Sequence, residues 1–402
     1  MSELTKLLTS YCPNGVEYKK IGEIGVLFGG LTGKSKEDFK NGNAKFITYR
    51  NIYSNPSLDL NIQDKVKILD DEKQHIVRYG DILFTGSSET PDECGMSSVV
   101  TVQTNEDLYL NSFCFGLRLH NLEEYNLHFL KHLLRSNDVR GQIKQTASGV
   151  TRYNISKKRF VNISIPVPPI EVQTKIAEIL DRFAEYAAEL QAELQARQEQ
   201  YEYYRNKLLN FNEIGGGIQG VIWMKMSEVY DMKAGKTIIS SMIENVKTLK
   251  NPYPCYGGNG LRGYVSEYNQ QGDKVLIGRQ GALCGNVCFA NNSFYATEHA
   301  VVVSEKGYCL PRYTYHLLTK MKLNQYKTAG AQPGLSVSRL EKLLIPIPSM
   351  GMQLKIVSIL DRFDELISDL SQGLPAEIEA VQEQYEYYRD KLLSFTEYKL
   401  SA

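Results

Sequence analysis

Gln198-Glu199-Gln200-Tyr201-Glu202-Tyr203-Tyr204-Arg205 recurs letter for letter as Gln382-Glu383-Gln384-Tyr385-Glu386-Tyr387-Tyr388-Arg389. The echo runs on: Lys207-Leu208-Leu209 and Phe211 match Lys391-Leu392-Leu393 and Phe395. Upstream, Ile179-Leu180-Asp181-Arg182-Phe183 returns as Ile359-Leu360-Asp361-Arg362-Phe363, and Ile165-Pro166-Val167-Pro168 as Ile345-Pro346-Ile347-Pro348. Matches of that length are not chance. The offset of roughly 180 to 205 residues is far longer than the units of about 20–50 residues that build solenoids. The chain is therefore two copies of one domain-sized unit, suited to a target with two halves.

Apolar residues around the repeated segments fall four and three apart. The first series is Ile176, Leu180, Phe183, Ala187, Leu190, Leu194, Tyr201, Tyr204, Leu208 and Phe211, with Arg197 at the one polar position. The second is Ile356, Leu360, Phe363, Ile367, Leu370, Leu374, Ile378, Val381, Tyr385, Tyr388, Leu392 and Phe395. Both are heptad seams of long helices. Pro168-Pro169 precedes the first and Gly215-Gly216-Gly217 follows it, as helix boundaries require. In the second, the step from Leu374 to Ile378 is four where three is due, a stutter flanked by Gly373 and Pro375; a kink or break is expected there. Each helix of about 40 residues would span about 60 Å and expose an apolar stripe if alone. Antiparallel pairing of the two, through Leu180, Phe183, Leu190, Tyr201, Tyr204, Leu360, Phe363, Tyr385 and Tyr388, covers both stripes and places two heads at opposite ends.

The fold class expected is α+β: two pseudo-symmetric, strand-rich α/β recognition domains joined by two long antiparallel coiled-coil helices. The boundaries are 1–165 for the first head, 166–214 for the first helical region, 215–345 for the second head and 346–402 for the second helical region. The heads echo each other weakly but in order: Gly80-Asp81-Ile82-Leu83 answers Gly272-Asp273-Lys274-Val275-Leu276, and Thr146-Ala147 answers Thr328-Ala329. One frame carries two different surfaces. Lys6-Leu7-Leu8 echoes Lys207-Leu208-Leu209, so the N-terminus is either a stub of a helix end or an ordinary amphipathic turn.

Forty-six Lys plus Arg balance 46 Asp plus Glu, and 42% of the 402 residues are hydrophobic. The cores can be large, but the basic excess of a free-standing DNA binder is missing. Either nucleic acid is not the partner, or a partner subunit carries much of the positive charge. The seven Cys include no C-x-x-C pair, which suggests free thiols in a reducing cytosol. No apolar run of about 18 residues and no signal peptide occurs, so a cytoplasmic protein without a membrane span is expected.

Catalytic motifs fail one by one. Gly33-Lys34-Ser35 and Gly235-Lys236-Thr237 end like a P-loop, but Phe28 and Tyr230 stand where its first glycine belongs. Asn251-Pro252-Tyr253-Pro254 lacks the second proline of the amino-methyltransferase motif. His128 and His132 are four apart without the glutamate of a zinc protease; they read as partly exposed helix residues. No catalytic constellation and no metal site is expected.

What remains is polar recognition chemistry. Ser148 to Asn154 brings Arg152 and Asn154, followed by Lys157 and Lys158. The second head offers Asn259 and Arg262 in a glycine-rich loop, Arg279-Gln280 in a short turn, and Gln332, Ser336 and Arg339 further on. Arg reads guanine and Asn or Gln reads adenine through paired hydrogen bonds, whereas Lys and Ser more often hold phosphates. Solvated loop residues are the plain alternative for each.

As a set, these features resemble the specificity subunit of type I restriction–modification enzymes. The resemblance rests on the Ile-Pro-x-Pro lead into each helix, Gln173-x-Lys175-Ile176 with Gln353-x-Lys355-Ile356, the Ile-Leu-Asp-Arg-Phe pair, the closing Tyr-rich motif, the Tyr253–Gly260 loop and the Ala188–Gln195 tetrapeptide repeat. Ser349-Met350-Gly351 departs from it. The resemblance implies a non-catalytic, sequence-specific DNA-binding subunit. Each head would read one half of an interrupted double-stranded DNA target, and the helices would hold two modification (methyltransferase) subunits, with restriction/translocation subunits joining. It also implies no cofactor in this chain: S-adenosylmethionine, and ATP with Mg, would belong to the partners. A coiled-coil scaffold with two protein-binding heads is the competing reading.

Overall fold

The computed structural model describes residues 3–211, 220–281, 283–328, 334–368 and 373–398. It divides into two compact units: residues 1–189 with 378–402, and residues 190–377. These differ from the linear segments above because each helical region is shared. The first long helix, Ile170–Leu208, gives its first half to one unit and its second half to the other. The second helical region is two helices, Met350–Ser368 and Leu374–Leu392, with residues 369–372 outside the described set. Gly373 accepts hydrogen bonds from the Ala376 and Glu377 N–H groups and opens the later helix, beside Pro375.

Within the first unit, Phe183 stacks on Tyr388 at 5.4 Å between ring centroids. Within the second, Tyr204 stacks on Phe363 at 5.5 Å. The early part of one helical region thus meets the late part of the other in each unit, the exchange of halves that antiparallel pairing produces. Leu180 and Leu360 are fully buried, and Leu190 nearly so.

Both heads are built on the same sheets. In the first, an antiparallel sheet has the order Gly25–Gly29, Cys114–Leu119, Ile82–Thr85, Ser97–Val99. In the second, it is Tyr230–Ala234, Ala300–Glu305, Lys274–Gly278, Val287–Ala290. A second four-stranded sheet also matches. Its central pair is parallel in both heads, Ala44–Ile47 with Leu108–Leu110 and Tyr253–Gly257 with Ser293–Ala296. A two-stranded ribbon closes each head, Lys19 opposite Ile165 and Trp223 opposite Pro346. That ribbon delivers the chain to Pro168 or Pro348, where the long helices begin.

The lead into each helix is fastened by a glutamine that is fully buried. Gln173 accepts from the Asn126 N–H and donates to the carbonyls of Glu124 and Pro168. Gln353 accepts from the Leu310 N–H and donates to the carbonyls of Tyr308 and Pro348. With its amide spent on backbone in this way, a buried glutamine is stabilising rather than costly.

The N-terminus forms a helix, Glu3–Tyr11. Leu4, Leu7 and Leu8 pack into the cluster that holds Leu392, Leu393 and Phe395, and Glu3 pairs with Lys175 at 2.6 Å.

Candidate nucleic-acid interface

Each head is riveted to the helices by one histidine. His132, on the head helix Leu127–Leu133, bonds Asp181 through Nε2 at 2.6 Å and the Tyr385 hydroxyl through Nδ1 at 2.9 Å. His316, on Pro311–Lys320, bonds Asp361 at 2.7 Å and Tyr201 at 3.0 Å in the same way. Each histidine therefore takes its carboxylate from one helical region and its tyrosine from the other. Neutral imidazole donating from Nε2 and accepting the tyrosine proton at Nδ1 satisfies all three groups. The expectation of partly exposed histidines is corrected for His132, which is 2% exposed; the spacing to His128 pointed to the wrong question, because the partners lie 49 and 253 residues away.

Burial lowers the pKa of both histidines, against the pull of their aspartates. Burial also works against Asp181 and Asp361, but hydrogen bonds from His132 and Lys131, and from His316 and Arg312, outweigh it and hold both carboxyls below the usual range. The sign follows for both kinds of group. Below the ordinary histidine value near 6.5 the unfolded chain takes up protons that the folded histidines refuse, so stability falls. A second loss follows below about pH 4, where unfolded aspartates protonate first. We expect the melting temperature to drop between pH 7.5 and 5, and the drop to shrink in the His132→Gln/His316→Gln double variant. An unchanged slope would contradict neutral buried histidines.

The candidate residues of the first head lie on and just before one strand and in the turn that follows it. Asn154 lies in the strand Tyr153–Ile155, paired with Ser87 on one side and Ser148 on the other. Arg152 reaches Ser87 Oγ through Nε at 3.2 Å and through Nη2 at 3.1 Å, and its guanidinium lies 5.0 Å from the Phe113 ring centroid. Lys157 and Lys158 are exposed and open the turn Lys157–Phe160. Arg152, but not Asn154, Lys157 or Lys158, lines an open cleft of about 680 Å³ with Tyr49, Arg50, Tyr53, Glu89, Glu93 and Phe113 among others.

In the second head, Asn259 stands at the tip of the hairpin joining Tyr253–Gly257 to Gly260–Val265. Gly278 packs so tightly under this tip that a Cβ there would sit 1.9 Å from the Gly258 carbonyl oxygen. That approach brings Arg279 and Gln280 beside Asn259. Arg262 lies against Gly257 and donates to Ser240 Oγ at 3.3 Å. Gln280 bridges to Gly334. Ser336 contacts Ser338, and Arg339 is spent on the Tyr326 carbonyl. Gln332 lies outside the described residues.

Three neighbours had no motif to mark them: Thr297, Glu298 and His299. Thr297 Oγ1, Glu298 Oε2, His299 Nδ1 and Arg279 Nε are buried atoms without a hydrogen-bond partner among the described residues. The backbone ties this group together, Arg279 N–H to His299 O at 3.0 Å and Thr297 N–H to Tyr256 O at 2.9 Å. Among the described residues no cluster of His, Cys, Asp or Glu is placed to hold a metal ion, and no helix is long and apolar enough to cross a membrane.

The duplicated frame has a counterpart among known proteins. The model of the type I restriction modification DNA specificity domain matches residues 13–200 and again 221–380. The chain belongs to that family and carries two copies of its domain. It is 45% identical over 211 residues to the EcoprrI specificity subunit of Escherichia coli, a match covering 52% of each chain; it thus spans about half the length of that relative. It is 32% identical over 302 residues to a putative type I specificity subunit of Haemophilus influenzae, covering 68% of this chain and 74% of that one. The fold is shared with the type I S subunit from M. genitalium (TM-score 0.58, 16% identity, 94% and 96% covered). It is shared as well with a chain from a study of type I system assembly and conformational transition (TM-score 0.61, 16% identity, 95% and 98% covered).

Proposed function

We propose that this chain is the DNA-reading subunit of a type I restriction–modification complex, each head taking one half of a bipartite duplex target. The observation that carries the reading is the contrast between frame and face. The heads share both four-stranded sheets strand for strand. Yet one presents Arg152 over Phe113 beside an open cleft, and the other a hairpin tip with Asn259, Arg279 and Gln280. A scaffold binding the same partner twice has no use for two unlike faces.

The chain itself performs no chemistry in this reading. The helices dock two modification subunits, which bind S-adenosylmethionine, and restriction/translocation subunits use ATP with Mg. The surfaces left in duplicate suit two copies of one partner: exposed Tyr203 beside Lys207 and exposed Tyr387 beside Lys391. Partner surfaces would then supply the phosphate contacts that a neutral chain lacks. Such a complex works where the chromosome is, in the cytoplasm.

Exchange of residues 218–345 for another head of the family tests the reading. One half of the selected sequence is expected to change and the other to stay; a change in both halves would refute independent readers. Deleting residues 192–195 shortens the first long helix by about 6 Å and turns one end by about 40°. Both half-sites are expected to persist with a different preferred gap, and an unchanged gap would count against the helices as spacer.

A further inference from the structure

We infer that the first head reads a guanine–cytosine pair of its half-site in the cleft beside Arg152, with Arg152 the guanine reader and Glu89 the cytosine reader. The inference rests on the DNA-reading function proposed above and adds a base and two residues to it.

An arginine free in solvent loses rotamer entropy when it is fixed. Arg152 is fixed in advance. Its Nε and Nη2 both donate to Ser87 Oγ, and its guanidinium lies against the Phe113 ring, 5.0 Å from the centroid. Ser87 is only 4% exposed and is held in register by strand pairing with Asn154. A guanidinium has five N–H donors, and the serine engages one edge. The donors that remain on Nη1 and Nη2 form the fork that matches guanine O6 and N7.

The rest of the cleft argues for a base edge over a phosphate. Arg50 and Arg152 line it together with Glu89 and Glu93, so the cleft walls carry no excess positive charge for a phosphate group. Glu93 is spent on the Tyr53 hydroxyl at 2.9 Å and Ser88 Oγ at 3.0 Å, which stiffens the wall. Glu89 is exposed, and its carboxylate has no partner among the described residues. A carboxylate there accepts from the cytosine N4 amino group; a phosphate offers no such donor, and an A·T pair, though it offers the adenine N6 amino group, lacks the paired N7 and O6 acceptors that the Arg152 fork needs. Tyr49 and Tyr53, stacked on each other, close the side of the cleft with apolar faces.

The test is target selection from random duplex DNA by the complete complex with its modification subunits, comparing the unaltered chain with Arg152→Lys and Glu89→Ala. Lysine keeps the charge and loses the fork. Discrimination at one G·C position of one half-site is expected to fall about 10- to 100-fold in Arg152→Lys. The same position is expected to relax in Glu89→Ala, and the other half-site to stay unchanged in both. Retention of every position in Arg152→Lys, with affinity unchanged or lowered evenly across sequences, would overturn the inference. So would relaxation at an A·T position. An unaltered chain that enriches no split sequence would instead overturn the DNA-reading function itself. Glu89 is an exposed side chain without partners, so its removal reports on recognition even if Arg152→Lys assembles poorly.

Discussion

Asp361→Ala is expected to cost about 3 kcal/mol of stability in the unit formed by residues 190–377. Asp361 accepts from His316 Nε2 at 2.7 Å and from Arg312 Nε at 2.9 Å. His316 is fully buried, so loss of the carboxylate leaves a desolvated donor with nowhere to turn. Arg312 keeps Asp364 at 2.8 Å and its place over Phe289 and Tyr315, which limits the damage to the histidine side. Asp361→Asn keeps an acceptor for His316 and is expected to cost less than half as much. Urea unfolding of the three chains checks this. Equal losses in Ala and Asn would mean that charge, and not the hydrogen bond to the buried ring, holds the head helix to the long helices.

Gly278→Ala is expected to abolish most recognition by the second head while leaving the first intact. The methyl group would meet the Gly258 carbonyl oxygen at 1.9 Å and its carbon at 2.9 Å. Both atoms are backbone, so no rotamer change relieves the contact. The hairpin tip must lift, separating Asn259 from Arg279 and Gln280. Overpacking of this kind costs about 1–3 kcal/mol, and we expect about a 10- to 100-fold loss of discrimination confined to one half-site. Gly272→Ala serves as a comparison with no atom within 4 Å of the new methyl, though its φ of +83° carries its own local strain. Selection of bound sequences by both variants reads the difference. Normal recognition by Gly278→Ala would remove the hairpin tip from the interface.

The duplication and the two helix seams were legible because they are local. A repeated octapeptide and a four–three spacing need no knowledge of what packs where. Even so, Tyr201 and Tyr385 do more than the seam assigns them, since each hydroxyl bonds the histidine of a head helix. That role was invisible because His316 and Tyr201 are 115 residues apart, and His132 and Tyr385 are 253 apart. The heads were legible only as strand-rich. Their strands are two to six residues long, and the parallel pair Phe46–Tyr109 joins segments that no periodicity links. Arg152 could be nominated from its loop. Ser87 and Phe113, which hold it, could not, because only the sheet pairing brings them there. Thr297, Glu298 and His299 had no signal at all beyond being polar, since their significance lies in single buried atoms, Thr297 Oγ1, Glu298 Oε2 and His299 Nδ1, that lack a hydrogen-bond partner among the described residues.

In the proposed function, two unlike heads on one chain grip a single duplex together. Selection of random duplex DNA by this chain assembled with its modification subunits, followed by sequencing, tests it most directly. One motif with two defined blocks separated by an unread gap of fixed length is expected. Enrichment of a single uninterrupted block, or of no sequence, would contradict it.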